Sequence, residues 1–127
     1  MRWESPYFQS VEMKCSHTDK EMMEPEFMEK LTKLRQEFAR PMAISSAYRD
    51  PTHPIEAKKK KPGAHTKGRA VDVLVAGVDA LELVELAMAQ GFTGIGIAQK
   101  GARGSRFIHI DDLEEADGFP RPTIWSY

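Results

Sequence analysis

A single cysteine, Cys15, in 127 residues excludes an internal disulfide framework and leaves the redox compartment open. Net charge is equally scarce. The 18 Lys and Arg against 19 Asp and Glu leave a formal charge of -1, so bulk electrostatics gives no general case for nucleic-acid or membrane partners. No apolar run approaches the roughly 20 residues that a membrane-spanning helix needs. The N-terminal MRWESPYFQSVEM lacks the apolar core of a signal peptide. Internal repeats and long low-complexity tracts are missing too. What is present is an ordinary globular mixture, 41% hydrophobic and 29% charged. It suits one domain, residues 1–127, that buries roughly two-thirds of its unfolded surface.

Pro25 reads as the first-turn proline of a helix. Phe27, Met28, Leu31, Leu34 and Phe38 recur at helical spacing behind it, and Pro41 prevents continuation much past Ala39. Residues 1–20 form an N-terminal arm in which a short strand is expected within YFQSVEMKCSH. Met42–Tyr48 suits a strand, and the three prolines and glycine of RDPTHPIEAKKKKPGAH predict an irregular loop. RAVDVLVAG reads as the next strand. Val78–Gln90 reads as a second long helix, with Leu81, Val84 and Met88 as its apolar stripe and Gly91 as its left-handed stop. FTGIGIAQ and SRFIHID predict two more strands around a turn at Lys100–Gly104, and GFPRPTIWSY an extended arm. The expected fold is α+β: a small, mainly antiparallel sheet flanked by two main helices.

Chemistry concentrates in GAHTKGRAVDV, residues 63–73. Strand parity puts Val71, Val73 and Val75 on one face and Asp72 on the other. In FIHID, Ile108 and Ile110 likewise share a face opposite His109 and Asp111. A carboxylate and an imidazole at such positions need partners, because burying either unpaired costs several kcal/mol. Fully extended, His65 and Asp72 would lie roughly 23 Å apart. Convergence therefore requires the chain to fold back, and Gly68 can supply the unusual backbone angle. Two imidazoles and one carboxylate would then meet, a set suited to catalytic zinc with one open position. The plain alternatives are an Asp72 paired with Arg69, Arg49 or Arg106, and a His109 satisfied as a half-buried histidine.

The pattern His65-Thr-Lys-Gly68-Arg-Ala70-Val-Asp72, with Phe107-Ile-His109-Ile-Asp111 downstream, resembles the zinc peptidoglycan peptidases. That group comprises D-alanyl-D-alanine carboxypeptidases, murein endopeptidases and phage endolysins of the L-alanyl-D-glutamate type. SSAYRDPTHP resembles the group's Ser-x-Tyr-Arg segment, GFTGIGI its Gly-rich strand, and IWSY its terminal Trp, so the likeness spans roughly residues 25–127. The resemblance implies zinc held by His65, Asp72 and His109. It also implies that Arg49 contacts a substrate carboxylate or polarises the scissile carbonyl, as a planar guanidinium fork can. The implied reaction is metal-assisted hydrolysis of a peptide bond in the wall stem peptide. The loop at residues 50–64 lies on the substrate side.

The general base transfers least well. Where many relatives carry an acid or a histidine, this chain has Arg106 and Phe107. Asp111, on the same face as His109, is the candidate to orient the imidazole or help activate the water, with Glu56, Asp112 and His53 as alternatives. Gly63 stands where many relatives have serine. A short, single-domain chain without a leader fits a phage protein made in the bacterial cytoplasm and acting on the wall as a monomer. A non-catalytic wall-binding or virion module with the same fold is the competing function, and a metal-dependent nuclease is disfavoured by the neutral charge. The Lys58–Lys61 run reads as a solvated turn, and Cys15 with His17 as structural. Trp3, Trp125 and Tyr127 either pack together or line a groove.

Overall fold

Pro25 does open a helix, and the side chains it starts define the core. In the computed structural model, which describes residues 2–127, four helices and five strands follow in the order α1 Ser10–Met13, α2 Pro25–Phe38, β1 Ala43–Ser46, α3 Pro54–Ala57, β2 Ala70–Leu74, α4 Gly77–Gln90, β3 Gly94–Ala98, β4 Phe107–Asp111 and β5 Thr123–Ser126. Phe27, Met28, Leu31, Leu34 and Phe38 of α2 are all buried, as their spacing predicts. The helix ends at Ala39, which takes a left-handed conformation at φ 58 two residues before Pro41.

The sheet order is β1-β2-β4-β3-β5. β1, β2, β4 and β3 pair antiparallel, and β5 joins β3 in parallel. β2 and β3 therefore run in the same direction with β4 inserted between them, and α4 is the crossover that parallel strands require. Val71, Val73, Ile95, Ile108 and Ile110 join α2 and α4 in one hydrophobic core, to which Phe27 and Phe92 contribute an edge-to-face pair at 6.0 Å. The α+β expectation of a mainly antiparallel sheet with two main helices is what the chain adopts.

Four expectations differ from the structure. The N-terminal arm holds the helical turn α1 rather than a strand. The Pro-rich loop contains one helical turn, α3, opened by Pro54 at its first position with His53 as N-cap. The extended tail becomes strand β5. In α4 the buried residues are Ala80, Leu83 and Ala87, while Leu81 and Met88 are exposed. Gly91 is the expected stop, at φ 95. Among the described residues, no helix is long and apolar enough to cross a membrane.

Candidate metal centre

Register places the site. Asp72 of β2 lies directly across from His109 of β4, His109 across from Gly96 of β3, and Gly96 across from Trp125 of β5. One row of residues therefore runs over four strands on the sheet face away from the helices. A side chain at position 96 would have no room. A Cβ there would sit 2.8 Å from Trp125 and 2.9 Å from the His109 Cβ. Glycine in this strand is what lets the Trp125 ring close against the His109 ring, at 4.9 Å between centroids.

His65 reaches the row from a 3-10 turn, Ala64–Lys67, capped by Gly68 at φ 69. The turn is pinned at both ends, by Arg49 N–H donating to His65 O at 3.2 Å and Glu24 N–H donating to Gly68 O at 2.8 Å. The fold-back required of this stretch thus occurs, through the glycine expected to allow it. His65, Asp72 and His109 are all buried, and their candidate ligand atoms lie within 4.8 Å of one another.

The hydrogen bonds behind each imidazole determine which nitrogen faces inward. His65 Nδ1 lies 2.7 Å from the Ala47 carbonyl, an acceptor only, so Nδ1 carries the proton and Nε2 faces Asp72 Oδ1 at 3.3 Å. His109 Nε2 lies 2.7 Å from Asp111 Oδ2, leaving Nδ1 turned to Asp72 Oδ1 at 3.1 Å. With both outer nitrogens occupied, the two inner nitrogens, once freed of protons by an incoming cation, would present lone pairs with one carboxylate to a common point. This donor set fits a metal ion.

Burial alone would push the Asp72 carboxyl up, but the bonds from His109 and His65 outweigh it and hold it well below the usual carboxylate range. Burial likewise opposes charge on His109, yet Asp111 and Asp72 raise its pKa. Asp111, also disfavoured by burial, is brought from 3.8 to about 2 by His109 and by Arg121. A carboxylate depressed in the folded state contributes stability above its ordinary pKa and loses it as pH falls through the folded value. The metal-free protein is therefore expected to lose thermal stability as pH drops from 3.8 toward 2. Melts followed by circular dichroism should show an Asp111→Asn variant falling less steeply; an equal slope would remove Asp111 as a contributor.

A cleft of about 650 Å³ opens over the three residues, walled by Phe107, Phe119, Trp125 and Tyr127 and edged by Arg49, Lys59 and Arg121. The peptidase M15 family matches residues 6–111. The chain belongs to that family. It is a family of peptidoglycan peptidases of the zinc D-Ala-D-Ala carboxypeptidase type. No curated protein matches the sequence.

In this M15 chain, Arg49 stands at the cleft edge, with Nη1 3.3 Å from Glu56 Oε2 and Nη2 4.0 Å from Asp72 Oδ2. Asp111 is fully buried behind His109 and does not line the cleft. The alternatives to it are engaged elsewhere. Glu56 accepts from Gly63 N–H at 2.8 Å and pairs with Lys59 at 3.1 Å. Asp112 takes Arg69 and Lys30, and the His53 side chain caps α3. Among the described residues, Asp72 is the one carboxylate lining the cleft.

The Lys58–Lys61 run is less free than a solvated turn. Lys59 pairs with Glu56, and Lys61 donates to the Gly118 carbonyl while lying over the Phe119 ring at 4.4 Å. Trp125 and Tyr127 line the cleft, whereas Trp3 is buried elsewhere, bonded to Glu21 at 3.1 Å. Cys15 is buried and accepts Asp50 N–H at 3.3 Å. Sequence reasoning missed Arg121 altogether. A lone arginine between two prolines carries no periodic signal, and its partner Asp111 lies ten residues away at the end of β4.

Proposed function

We propose that this M15 chain is a zinc peptidase that hydrolyses a peptide bond in peptidoglycan stem peptides or their cross-links, and that it is phage-encoded and acts on the cell wall as an endolysin, murein endopeptidase or D,D-carboxypeptidase. The observation that carries the reading is the convergence of His65 Nε2, Asp72 Oδ1 and His109 Nδ1, each imidazole already satisfied on its outer nitrogen. Two nitrogens and one carboxylate oxygen with a cleft above them are the donors of catalytic zinc. Zinc held there would supply Lewis acidity and an activated water for attack on a peptide carbonyl.

The chain's own residues then have distinct tasks. Asp111 keeps the His109 proton on Nε2 and fixes the ring. Its place behind His109 supports this orienting role over activation of water. Arg49, held by buried Glu56 beside Asp72, presents its fork to a substrate carboxylate or to the scissile carbonyl. The aromatic walls exclude water and offer flat contact to the substrate backbone. The partner is a stem peptide, with neither nucleic acid nor membrane required.

One observation favours a second reading, a zinc-containing wall-binding or virion module without catalysis: among the described residues, the cleft holds no carboxylate besides Asp72 to serve as a base. Incubating the purified protein with peptidoglycan, with and without chelator, separates the two by mass analysis of fragments. New stem-peptide fragments that disappear with chelator support the peptidase. Stoichiometric zinc with no fragments supports the module.

A further inference from the structure

Arg121 lies beyond the family-matched stretch, on the segment leading into β5, and its side chain is only 6% exposed. Every arm of the guanidinium is in use. Nε donates to Asp111 Oδ1 at 2.9 Å, Nη2 to Asp111 Oδ2 at 2.7 Å, and Nη1 to the Pro120 carbonyl at 2.7 Å. The Trp125 ring covers the group at 5.0 Å to its centroid, and Phe119 at 5.4 Å. A two-pronged contact of this kind fixes a carboxylate in angle as well as position.

Two further contacts complete the clamp on Asp111. Leu113 N–H donates to Oδ1 at 3.2 Å. Gly94 lies across the β3–β4 ladder, and a Cβ on it would fall 2.2 to 2.4 Å from the three carboxyl atoms of Asp111. The carboxylate thus occupies the space that glycine leaves, held by a backbone N–H and the arginine fork, with its Oδ2 on His109 Nε2.

The geometry points to Arg121 as a positioning residue for the metal centre. Together with Gly94 it fixes Asp111, so that the His109 ring keeps its proton on Nε2 and aims Nδ1 at the point shared with His65 and Asp72. The inference rests on the zinc reading above and adds a residue from the C-terminal arm to it. Arg121 does not touch substrate in this role; it acts through Asp111 and then His109.

The test is the zinc affinity of the full-length protein, measured by competition with a chelating dye, beside the melting temperature of each metal-free variant. Loss of an outer-shell partner typically costs about 10- to 100-fold in metal affinity. Arg121→Gln is expected to weaken zinc binding in that range, and Arg121→Lys, which keeps the charge and loses the fork, to weaken it less. Gly94→Ala should weaken it as well, by displacing the carboxylate. Because Arg121 acts through Asp111, the Asp111→Asn, Arg121→Gln double variant should bind zinc no more weakly than Asp111→Asn alone. Wild-type affinity in Arg121→Gln, or a fully additive double variant, would overturn the assignment. Should Arg121→Gln not fold, unchanged affinity in both Arg121→Lys and Gly94→Ala would overturn it equally. His65→Ala is the control: unchanged zinc binding there removes the metal reading itself, whereas lost binding there with unaltered Arg121 variants removes only the positioning role.

Discussion

His65→Ala is expected to lose zinc binding and hydrolysis together while keeping its fold. The substitution removes one of three inward donors, so the affinity loss should exceed the roughly 10- to 100-fold typical of an outer-shell partner. The fold should survive because the turn that carries His65 is held by backbone bonds, from Arg49 N–H to His65 O and from Glu24 N–H to Gly68 O. Alanine retains all of these groups. Asp72→Asn is the companion, close in shape but without the charge that both imidazoles face. Zinc content by atomic absorption, release of wall fragments and far-ultraviolet circular dichroism check the three parts. A His65→Ala protein that kept both zinc and activity would sink the ligand assignment. One that lost its circular dichroism signature would refute the claim that the turn is held by its backbone.

Gly68→Ala is expected to be among the most destabilising single-methyl changes available to this chain. Gly68 sits at φ 69, where a non-glycine residue costs roughly 1–2 kcal/mol. The added Cβ would also fall 2.1 Å from the Met22 carbonyl oxygen, a backbone atom that cannot swing aside. Strain and collision together should cost on the order of 3 kcal/mol or more, lowering the melting temperature by roughly 10 °C in a domain of this size. Gly91→Ala isolates the strain. Gly91 also has positive φ, at 95, but nothing lies within 4 Å of its would-be Cβ, so about 1 kcal/mol is expected there. Equal melting temperatures for the two variants would show that the collision with Met22 is relieved at no cost. Because Gly68 closes the turn that delivers His65, its alanine variant should also weaken zinc binding, whereas Gly91→Ala should not.

The sequence was legible where one physical rule dominated. Alternation in β2 and β4 separates Val71, Val73, Ile108 and Ile110 from Asp72 and His109, because a strand with one face on the hydrophobic core must obey period two. The glycine at 68 was legible for the same kind of reason, since only one residue between His65 and Asp72 turns the chain back without strain. The inward face of α4 was not legible. Leu81, Val84 and Met88 make the more hydrophobic stripe, yet Ala80, Leu83 and Ala87 are the residues buried. Which face is covered depends on how closely α2 and β4 approach, and small side chains permit the close approach that larger ones prevent. Strand β5 was hidden by the prolines just before it, Pro120 and Pro122, and it took pairing with β3 to give it a direction. Arg121 shows the general limit: a side chain acting on a partner from a distant strand leaves no local trace.

The row of Asp72, His109, Gly96 and Trp125 ties two qualities of the molecule to one registration of its strands. If β4 slipped by a single residue against β2, His109 would point into the hydrophobic interior and isoleucine would line the cleft. Such a chain would have neither a sound interior nor a complete set of donors. An ion bound at His65, Asp72 and His109 would therefore act as a proofreader of strand alignment, rewarding only the correctly threaded sheet. In a refolded preparation, moles of metal per mole of protein would count the molecules that aligned correctly.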